Sequence, residues 1–424
     1  MHPMVKPALR RAWRERQTVQ FGVTPAHAVT VGPVDTATGA LLEMFDGTRG
    51  LPLLRAEALA MGLPDGHVDS LVRRLSAAGL IDDSTGGGPA ADALRQGTRT
   101  AGRLRPDLAS LSVVHPGPGD GIRRLAARRA MSVRVRGAGR VGAQVAALLS
   151  AAGVGRVEVL DGGFAEPWDV APGGLPVRAV GERRDAAARR MVRDMASVPP
   201  ARARPGPAGS AIPAAAGRGS GSAGHGAAGD GPSGAGTGGP AAGASGRGAE
   251  AVDSGPAGLS LVMVCPRDGL AAHAPDPVAA EEWIATGTPH LYAGVIEATG
   301  VVGPLVLPGG TGCAGCLELA RTESDPGWPR LLAQWRSGGR RAPVPACDIT
   351  LAALVAGMAA AHALSFLDGE LPASTGTRWE AALPILEWRS ERIRPHADCA
   401  CGAARKSERE GASGFGPPEG TMAG

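Results

Sequence analysis

The spacing of apolar residues over positions 1–95 predicts two strands, three helices and a short further strand. Apolar and polar side chains alternate in residues 18–22 and 28–32, as in half-buried strands. Three segments with helical spacing follow, and Asp35 can cap the first of them. The third segment places four apolar residues on one face, namely Val68, Leu71, Val72 and Leu75. With a small apolar strand at 80–81, this order predicts a winged-helix-like domain.

A winged-helix-like domain can bind DNA, but the charge pattern of this chain does not favour DNA. The third helix carries a single basic pair, Arg73 and Arg74. The whole chain has a net charge of +4, and only 3% of its residues are aromatic. Nucleic-acid binding usually needs a concentrated basic face with interleaved aromatic side chains. We therefore expect no nucleic-acid partner.

A second pattern, which begins at residue 132, predicts a nucleotide-type βαβ unit. The strand-like segment Ser132–Arg136 leads into Gly-Ala-Gly-Arg-Val-Gly, a helical segment and a second strand, Arg156–Leu160. An acidic residue follows that strand, 22 positions after the second glycine. In such units the glycines let phosphate approach the helix N-terminus, and the acid contacts a ribose hydroxyl. The candidate nucleotide-binding residues are Gly137, Gly139, Arg140, Gly142 and Asp161.

Composition divides the rest of the chain. A connector at 96–129 leads into an α/β body that covers 130–200 and 259–402. The interruption at 201–258 consists almost entirely of Ala, Gly, Ser and Pro, so it cannot bury enough apolar surface to offset its conformational entropy. We expect this insertion and the polar tail at 403–424 to be disordered. For the body we expect a Rossmann-like, mostly parallel sheet with helices on both faces.

The sequence also predicts a soluble, cytoplasmic protein with no membrane partner. Residues 1–16 are rich in arginine and lack the apolar core of a signal peptide. The most apolar stretch, 351–367, is rich in alanine and contains a histidine. It falls short of the ~20 strongly apolar residues that a membrane span needs. We expect it to form a buried helix.

Four of the six cysteines lie in two close pairs, which predicts a structural zinc site. Cys313 and Cys316 form a C-x-x-C pair, and 82 residues separate them from Cys399 and Cys401. Four thiolates are the ligand set of a closed, tetrahedral zinc site, and so few cysteines suit a reducing compartment. Zinc would tie the end of the chain to the body. His396 is a substitute ligand if the tight C-x-C pair supplies only one sulfur.

The two remaining cysteines are separate from these pairs. Cys265 follows an apolar strand at 259–264 and is expected to be a buried packing residue. Cys347 begins a helix, and a helix N-terminus can lower the pKa of a thiol. Two interpretations of Cys347 stay open, a nucleophile and a packing residue, and the second is favoured.

Three separate motifs resemble ThiF-type, ubiquitin-activating-enzyme-like proteins. They are the run VRVRGAGRVGAQVAALLSAAGVGRVEVLD, the run PHLYAGVIEATGVVGPLVLPGGTGCAGCLELAR and the final cysteine pair. The likeness covers residues 130–402 without the insertion, and it implies a ThiF-type fold. The N-terminal domain resembles the leader-peptide-recognition domains fused to the ThiF-like, cyclodehydratase components of thiazole/oxazole-modified peptide pathways.

The resemblance implies ATP and magnesium as cofactors, for adenylation of the C-terminal carboxylate of a peptide or small carrier protein. At the phosphate clamp, however, this sequence departs from the family pattern. Residues 172–175 read Pro-Gly-Gly-Leu where the family has Asn-Leu-x-Arg-Gln, and Arg184 stands where a lysine is expected. Lysine occurs at only two of the 44 basic positions, 6 and 406, both outside the body. Asp268 best matches the magnesium-binding acid, without the usual Asp-Asn pair.

These departures favour a binding protein over an enzyme. Loss of one preorganised donor typically costs about 3–4 kcal/mol, or roughly 10²–10³ in rate, so changes at two clamp positions indicate a degenerate site. In this hypothesis the N-terminal domain holds a precursor peptide by strand addition, and the body presents it to a YcaO-type partner enzyme that consumes ATP.

Two other hypotheses stay open. The first is an active adenylyltransferase in which Arg140 and Arg184 clamp the phosphates and Asp268 holds magnesium. The second is a nicotinamide-dependent oxidoreductase, which fits the glycine loop but leaves the four paired cysteines unexplained. Whether the protein is a ThiF-like binding protein or an adenylyltransferase, the resemblance implies that it forms a homodimer.

Overall fold

The computed structural model describes four ranges of the chain: 1–97, 102–196, 259–337 and 344–404. The predicted insertion at 201–258 lies outside the described residues. The predicted tail lies outside them from residue 405 onward.

The N-terminal domain combines three helices with two small sheets. Its strands and helices, in chain order, are β1 (Pro3–Val5), β2 (Arg11–Glu15), β3 (Thr18–Phe21), β4 (Val29–Val31), α1 (Thr36–Glu43), α2 (Leu51–Ala60), α3 (His67–Ala77) and β5 (Ile81–Asp83). Strands β2, β3 and β4 form an antiparallel sheet in that order, and β1 pairs with β5. The predicted order of strands, helices and short strand is confirmed. Strands β1 and β2 are additional, because β1 has only three residues and every residue of β2 is exposed, so neither shows an apolar alternation.

The core of this domain is built from the apolar positions that the spacing predicts. Asp35 caps α1, since its carboxylate accepts the Thr38 N–H at 2.7 Å. The apolar face of α3 is buried against the sheet and the other helices, through Val68, Leu71, Val72 and Leu75. Helix α3 therefore lies directly behind the three-stranded sheet.

The connector is a small helical unit of its own. It comprises α4 (Pro89–Gln96), α5 (Arg105–Val114) and α6 (Asp120–Arg128), with a buried cluster that includes Leu94, Leu104 and Leu125. Two polar contacts join it to the N-terminal domain. The buried Lys6 donates from Nζ to the Pro116 carbonyl at 3.1 Å, and the Gly119 N–H donates to Asp82 at 2.6 Å.

The α/β body contains the remaining elements. Its strands are β6 (Ser132–Arg136), β7 (Arg156–Leu160), β8 (Leu261–Val264), β9 (His290–Ile296), β10 (Thr299–Val306), β11 (Thr377–Ala382) and β12 (Arg389–Arg392). Its helices are α7 (Arg140–Ala151), α8 (Arg184–Met195), α9 (Leu270–His273), α10 (Pro277–Ala285), α11 (Ala314–Ser324), α12 (Trp328–Ser337) and α13 (Ile349–Leu367). The predicted strands on either side of the glycine loop are confirmed.

These strands form one sheet of seven in the described residues, in the order β12-β11-β10-β9-β8-β6-β7. Strands β7, β6, β8 and β9 run parallel, whereas β9 through β12 are joined by antiparallel pairs. The predicted Rossmann-like α/β sheet is confirmed, and it is mixed because short connections make β9 to β10 and β11 to β12 antiparallel neighbours.

Helices cover both faces of the sheet, as predicted. Strand β9 shows the division, since Leu291 and Val295 join the cluster formed with α7, α8 and α13. His290 and Tyr292 point to the opposite face, where they stack with each other and, in the case of His290, with Trp283 of α10. The glycine loop lies at the parallel end of this layered body.

Helix α13 is the one helix in the described part of the chain that is long and apolar enough to cross a membrane. It packs against α7, β9 and β10. Eight of its residues are buried in the body: Leu351, Ala352, Val355, Ala356, Ala359, Ala360, Ala363 and Leu367. The prediction of a buried helix at 351–367 is confirmed.

A buried ion pair fastens the connector to the body. Arg128, at the end of α6, donates from Nε and Nη2 to the two carboxylate oxygens of Asp368, at 2.8 and 2.6 Å. A third donor, Nη1, reaches the Ala152 carbonyl at 3.2 Å. The Arg128 and Asp368 side chains are only 6% and 5% exposed. Each buried charge is therefore neutralised by the other and not by water.

We expect Asp368→Ala to lower the free energy of unfolding by about 3–5 kcal/mol, because Arg128 would stay buried without its partner. Urea denaturation followed by circular dichroism measures the change. The matched control is Glu387→Ala, which removes the partner of Arg389 in an exposed pair and should leave stability unchanged within error. Equal effects of the two substitutions would contradict this role of the buried pair.

Candidate functional site

Two glycines of the predicted motif are required by contacts inside the protein. Gly137 has a φ of +102°, and a Cβ there would lie 2.0 Å from the carbonyl oxygen of Cys265. A Cβ at Gly142 would lie 2.1 Å from the carbonyl oxygen of Gly137. A larger residue at either position would displace the loop or the end of β8. These glycines therefore bring α7 close to the sheet, whether or not a ligand is bound.

The third glycine, Gly139, faces the side chain of Arg267. A Cβ at Gly139 would lie 3.1 Å from Cγ and 3.3 Å from Cα of Arg267, which follows β8. The Arg267 guanidinium donates from Nε to Asp169 at 2.7 Å and from Nη2 to Glu166. It also lies over the ring of Trp168, 5.7 Å from the centroid. Arg267 thus covers the glycine loop and is held there from three sides.

Asp161, the predicted ribose ligand, is hydrogen-bonded within the chain. One carboxylate oxygen accepts the Ala138 N–H at 2.8 Å. The other accepts the Gly163 N–H and the Nε of Arg184, both at 2.9 Å. The Asp161 side chain is only 6% exposed. The structure therefore brings Asp161 and Arg184 together, but as a salt bridge that occupies both.

Asp169 connects the two arginines of the site. Its side chain is 2% exposed, and its oxygens lie 2.7 Å from Arg267 and 3.5 Å from Arg184. Two guanidinium groups therefore face three carboxylates, those of Asp169, Asp161 and Glu166. With opposite charges already paired in this way, neither guanidinium is left to neutralise an external phosphate.

A small cavity remains beside the glycine loop. Its volume is about 110 Å³, and it is lined by Arg140, Trp168, Asp169, Arg267, Val344, Pro345 and Cys347. Arg140 donates from Nη1 to the Cys347 carbonyl at 2.7 Å, and its buried Nε has no hydrogen-bond partner in the described residues. Ligand pockets usually have volumes of about 300–1,000 Å³. This cavity has room for a small anion or a few waters, and not for a nucleoside triphosphate.

Asp268 lies apart from this network. The residue is exposed, and its carboxylate accepts the Leu270 N–H at 2.7 Å at the start of α9. Among the described residues, no hydrogen bond or ion pair joins Asp268 to Arg184 or to the glycine loop. The two predicted catalytic residues therefore make no direct contact with each other among the described residues.

The sequence-based prediction missed the residues that organise the site, Glu166, Trp168, Asp169 and Arg267. One signal was present: two acids and a tryptophan lie in the loop after the predicted ribose acid. The pairing of Asp169 with Arg267 could not be predicted from that loop, because Arg267 lies in the β8–α9 loop, more than 90 residues away.

The four paired cysteines meet in one cluster, as predicted. All four Sγ atoms lie within 4.8 Å of one another. The Sγ atoms are separated by 3.8 Å between Cys313 and Cys316, and by 3.6 Å in the pairs Cys313–Cys399 and Cys316–Cys401. Metal–sulfur bonds of about 2.3 Å in a tetrahedron give sulfur–sulfur edges of about 3.8 Å. The thiols are therefore spaced to bind a metal ion.

The surroundings of the cluster shift the pKa values of its thiols in opposite directions. The hydrogen bond with Cys316 raises the pKa of Cys313, and burial raises the pKa of Cys401. The Cys313 thiol, which donates to Cys316, and the backbone N–H of His396 hold the pKa of Cys316 below its usual range. The imidazole of His396 has other partners, with Nε2 2.9 Å from the Glu323 carboxylate and Nδ1 accepting the Asp398 N–H at 3.2 Å. Four thiols lie within reach of one ion without a contribution from that imidazole.

The two other cysteines differ in burial. Cys265 is fully buried in the body, where burial raises its pKa to about 12, and the prediction of a packing residue is confirmed. Cys347 is half-buried and lies just before α13, beside Arg140. Burial raises the pKa of Cys347 as well, which disfavours the nucleophile interpretation.

Comparison with protein families matches residues 263–403 to the ThiF family. The matched range begins in β8 and includes the antiparallel half of the sheet and all four clustered cysteines. Comparison with curated proteins finds no match for this chain.

Solved structures with a similar fold include MccB of E. coli with ATP, at 13% identity and a TM-score of 0.58 over 95% of this chain and 99% of that one. They also include the microcin C7 biosynthetic enzyme MccB in complex with N-formylated MccA, at 14% identity and a TM-score of 0.58, over 95% of this chain and 100% of that one. PaaA matches at 13% identity and a TM-score of 0.58, over 92% of this chain and 99% of that one. At such low identity these likenesses establish the fold. The predicted ThiF-type fold is confirmed, and residues 263–403 match the ThiF family.

Proposed function

We propose that this protein binds the leader of a precursor peptide through its N-terminal domain, residues 1–95, and presents the peptide for ATP-dependent modification by a YcaO-type partner enzyme. The observation that carries the proposal is the pairing of Arg184 and Arg267 with three carboxylates at the glycine loop. A protein that adenylates its substrate needs cations free to meet the phosphates.

The position of Asp268 supports the same proposal. A magnesium-binding acid acts together with the phosphate clamp, whereas Asp268 is exposed and its carboxylate accepts the Leu270 N–H at 2.7 Å. Arg184 keeps the charge of the lysine that the family has, but its planar fork is already bonded to Asp161. ATP consumption then belongs to the partner enzyme.

Strand β4 offers the edge to which a leader peptide can add. In the three-stranded sheet, β2 and β4 have free edges within the described residues. Strand β2 carries Arg11 and Arg14 and has a register shift between Trp13 and Glu15, features that commonly protect an edge from pairing. Strand β4 has no charged residue, and α3 runs beside it, since Arg74 donates to the Gly32 carbonyl at 2.9 Å. An extended peptide can pair with β4 and contact α3.

We also propose that the cysteine cluster holds a structural zinc ion. Four thiolates without an open coordination position suit a structural site, and zinc favours tetrahedral sulfur ligands. The metal would connect the start of α11 with the segment after β12. From the family resemblance we further propose that the protein acts as a cytoplasmic homodimer.

The alternative function is an active adenylyltransferase. The fold match to MccB with ATP favours it, because a similar fold holds that nucleotide in MccB. It would require Arg140 and Arg184 to clamp the phosphates and Asp268 to hold magnesium.

Pyrophosphate exchange separates the two functions. We expect purified protein to catalyse no ATP–pyrophosphate exchange above background, with or without precursor peptide, because Arg184 and Arg267 are paired with carboxylates of the chain. Exchange that requires peptide and disappears in Asp268→Ala would show that the adenylyltransferase is the true function.

For the peptide site, we expect Thr30→Pro in β4 to weaken binding of a labelled leader peptide by roughly tenfold or more, since proline removes a backbone donor from the edge. Fluorescence anisotropy with precursor peptides encoded near this gene measures the affinity. The matched control, Arg11→Pro in β2, also removes an outward-facing backbone donor and should bind as wild type does. Circular dichroism checks that both variants are folded, and a loss confined to Arg11→Pro would place the peptide on the other edge.

For the metal, elemental analysis should find about one zinc ion per chain. Cys316→Ser should lose the zinc and lower the melting temperature, because metal binding and folding are coupled. Cys347→Ser, which changes a thiol outside the cluster, should keep the zinc. Retention of full zinc by Cys316→Ser would rule out this ligand set.

A further inference from the structure

We propose that the glycine loop is closed from within the chain, by Arg267 held on the turn formed by residues 166–169, and that this internal closure is what excludes a nucleotide. The inference rests on the proposed function and deepens it, because it assigns the loss of nucleotide binding to a particular contact. The nucleotide implied by the family does not fit the residues as they are arranged here.

The first reason is space. Backbone N–H groups at the start of a helix after a glycine loop are the usual place for phosphate. Here Gly139 is buried under Arg267. A Cβ added at Gly139 would lie 3.1, 3.3 and 3.4 Å from Cγ, Cα and Cβ of Arg267. The Ala138 N–H already donates to Asp161. Phosphate would have to displace Arg267 before it could reach the loop.

The second reason is charge. The 166–169 turn supplies two carboxylates to Arg267, from Glu166 and from the buried Asp169. Asp169 also lies 3.5 Å from Arg184, so displacing it would affect both guanidinium groups at once. An incoming phosphate would have to compete with three carboxylates for those two arginines, and the remaining cation beside the cavity, Arg140, is bonded to the Cys347 carbonyl. The carboxylates of the turn thus neutralise the arginines, as a bound phosphate would otherwise do.

The third reason is that the turn is a small rigid unit. The Glu166 N–H donates to Asp169 at 2.9 Å, which closes the turn on itself. Trp168, between the two acids in sequence, lies against the Arg267 guanidinium. Arg267 is therefore fixed by two carboxylates and a ring that belong to four consecutive residues. A single substitution in this contact should open the loop.

The test measures binding of ATP with magnesium, and of pyrophosphate, to the full-length protein by isothermal titration calorimetry. Wild type should show no saturable binding. Asp169→Asn, which removes the charge that Arg267 and Arg184 share, and Glu166→Gln, which removes the second partner of Arg267, should each bind at least one of these anions roughly tenfold or more tightly than wild type. Glu182→Gln is the matched control, because it neutralises an exposed acid paired with Arg190 outside the turn, and it should gain nothing.

The proposal is overturned if both variants melt cooperatively and neither gains affinity for either anion. It is also overturned if wild type binds ATP and Arg267→Ala weakens that binding, since Arg267 would then be a phosphate ligand. Should Asp169→Asn fail to fold, the result for Glu166→Gln decides. Absence of leader-peptide binding by wild type would instead contradict the proposed function and leave this contact unaffected.

Discussion

The buried carboxylate of Asp169 is the group on which the arrangement of the site depends. It is 2% exposed and lies between Arg184 and Arg267. A carboxylate is costly to bury without such partners, and the arginines in turn need compensating charge. A fold of nucleotide type can thus keep its glycine loop, its helix and the acid after its second strand, Asp161, while Arg184 and Arg267 are paired within the chain.

The other features of the chain are arranged independently of that loop. The cysteine cluster closes the antiparallel end of the sheet, and its spacing suits a metal whether or not a nucleotide is present. The β4 edge belongs to the N-terminal domain, which the connector joins to the α/β body. Buried polar contacts fix that connector at both ends, through Lys6 on one side and Arg128–Asp368 on the other. Peptide binding and presentation can therefore be retained when nucleotide chemistry is lost.

Local patterns predicted most of the fold. The cap at Asp35, the apolar face of α3 and the βαβ unit around the glycine loop all follow from signals a few residues apart, and each is confirmed. Strand β2 was missed because all of its residues are exposed, so it shows no apolar alternation. The cysteine cluster was predictable because thiol pairs leave few alternative partners. The contact of Arg267 with Asp169 was not predictable, because the two residues lie 98 positions apart and no recurring sequence spacing links them.

The most direct test is a crystal structure of the full-length protein grown with ATP, magnesium and a precursor peptide. Our interpretation predicts peptide paired with β4, no nucleotide at the glycine loop, and Arg267 still bonded to Asp169. Nucleotide phosphates beside Gly139, with Arg267 turned away from Asp169, would contradict it.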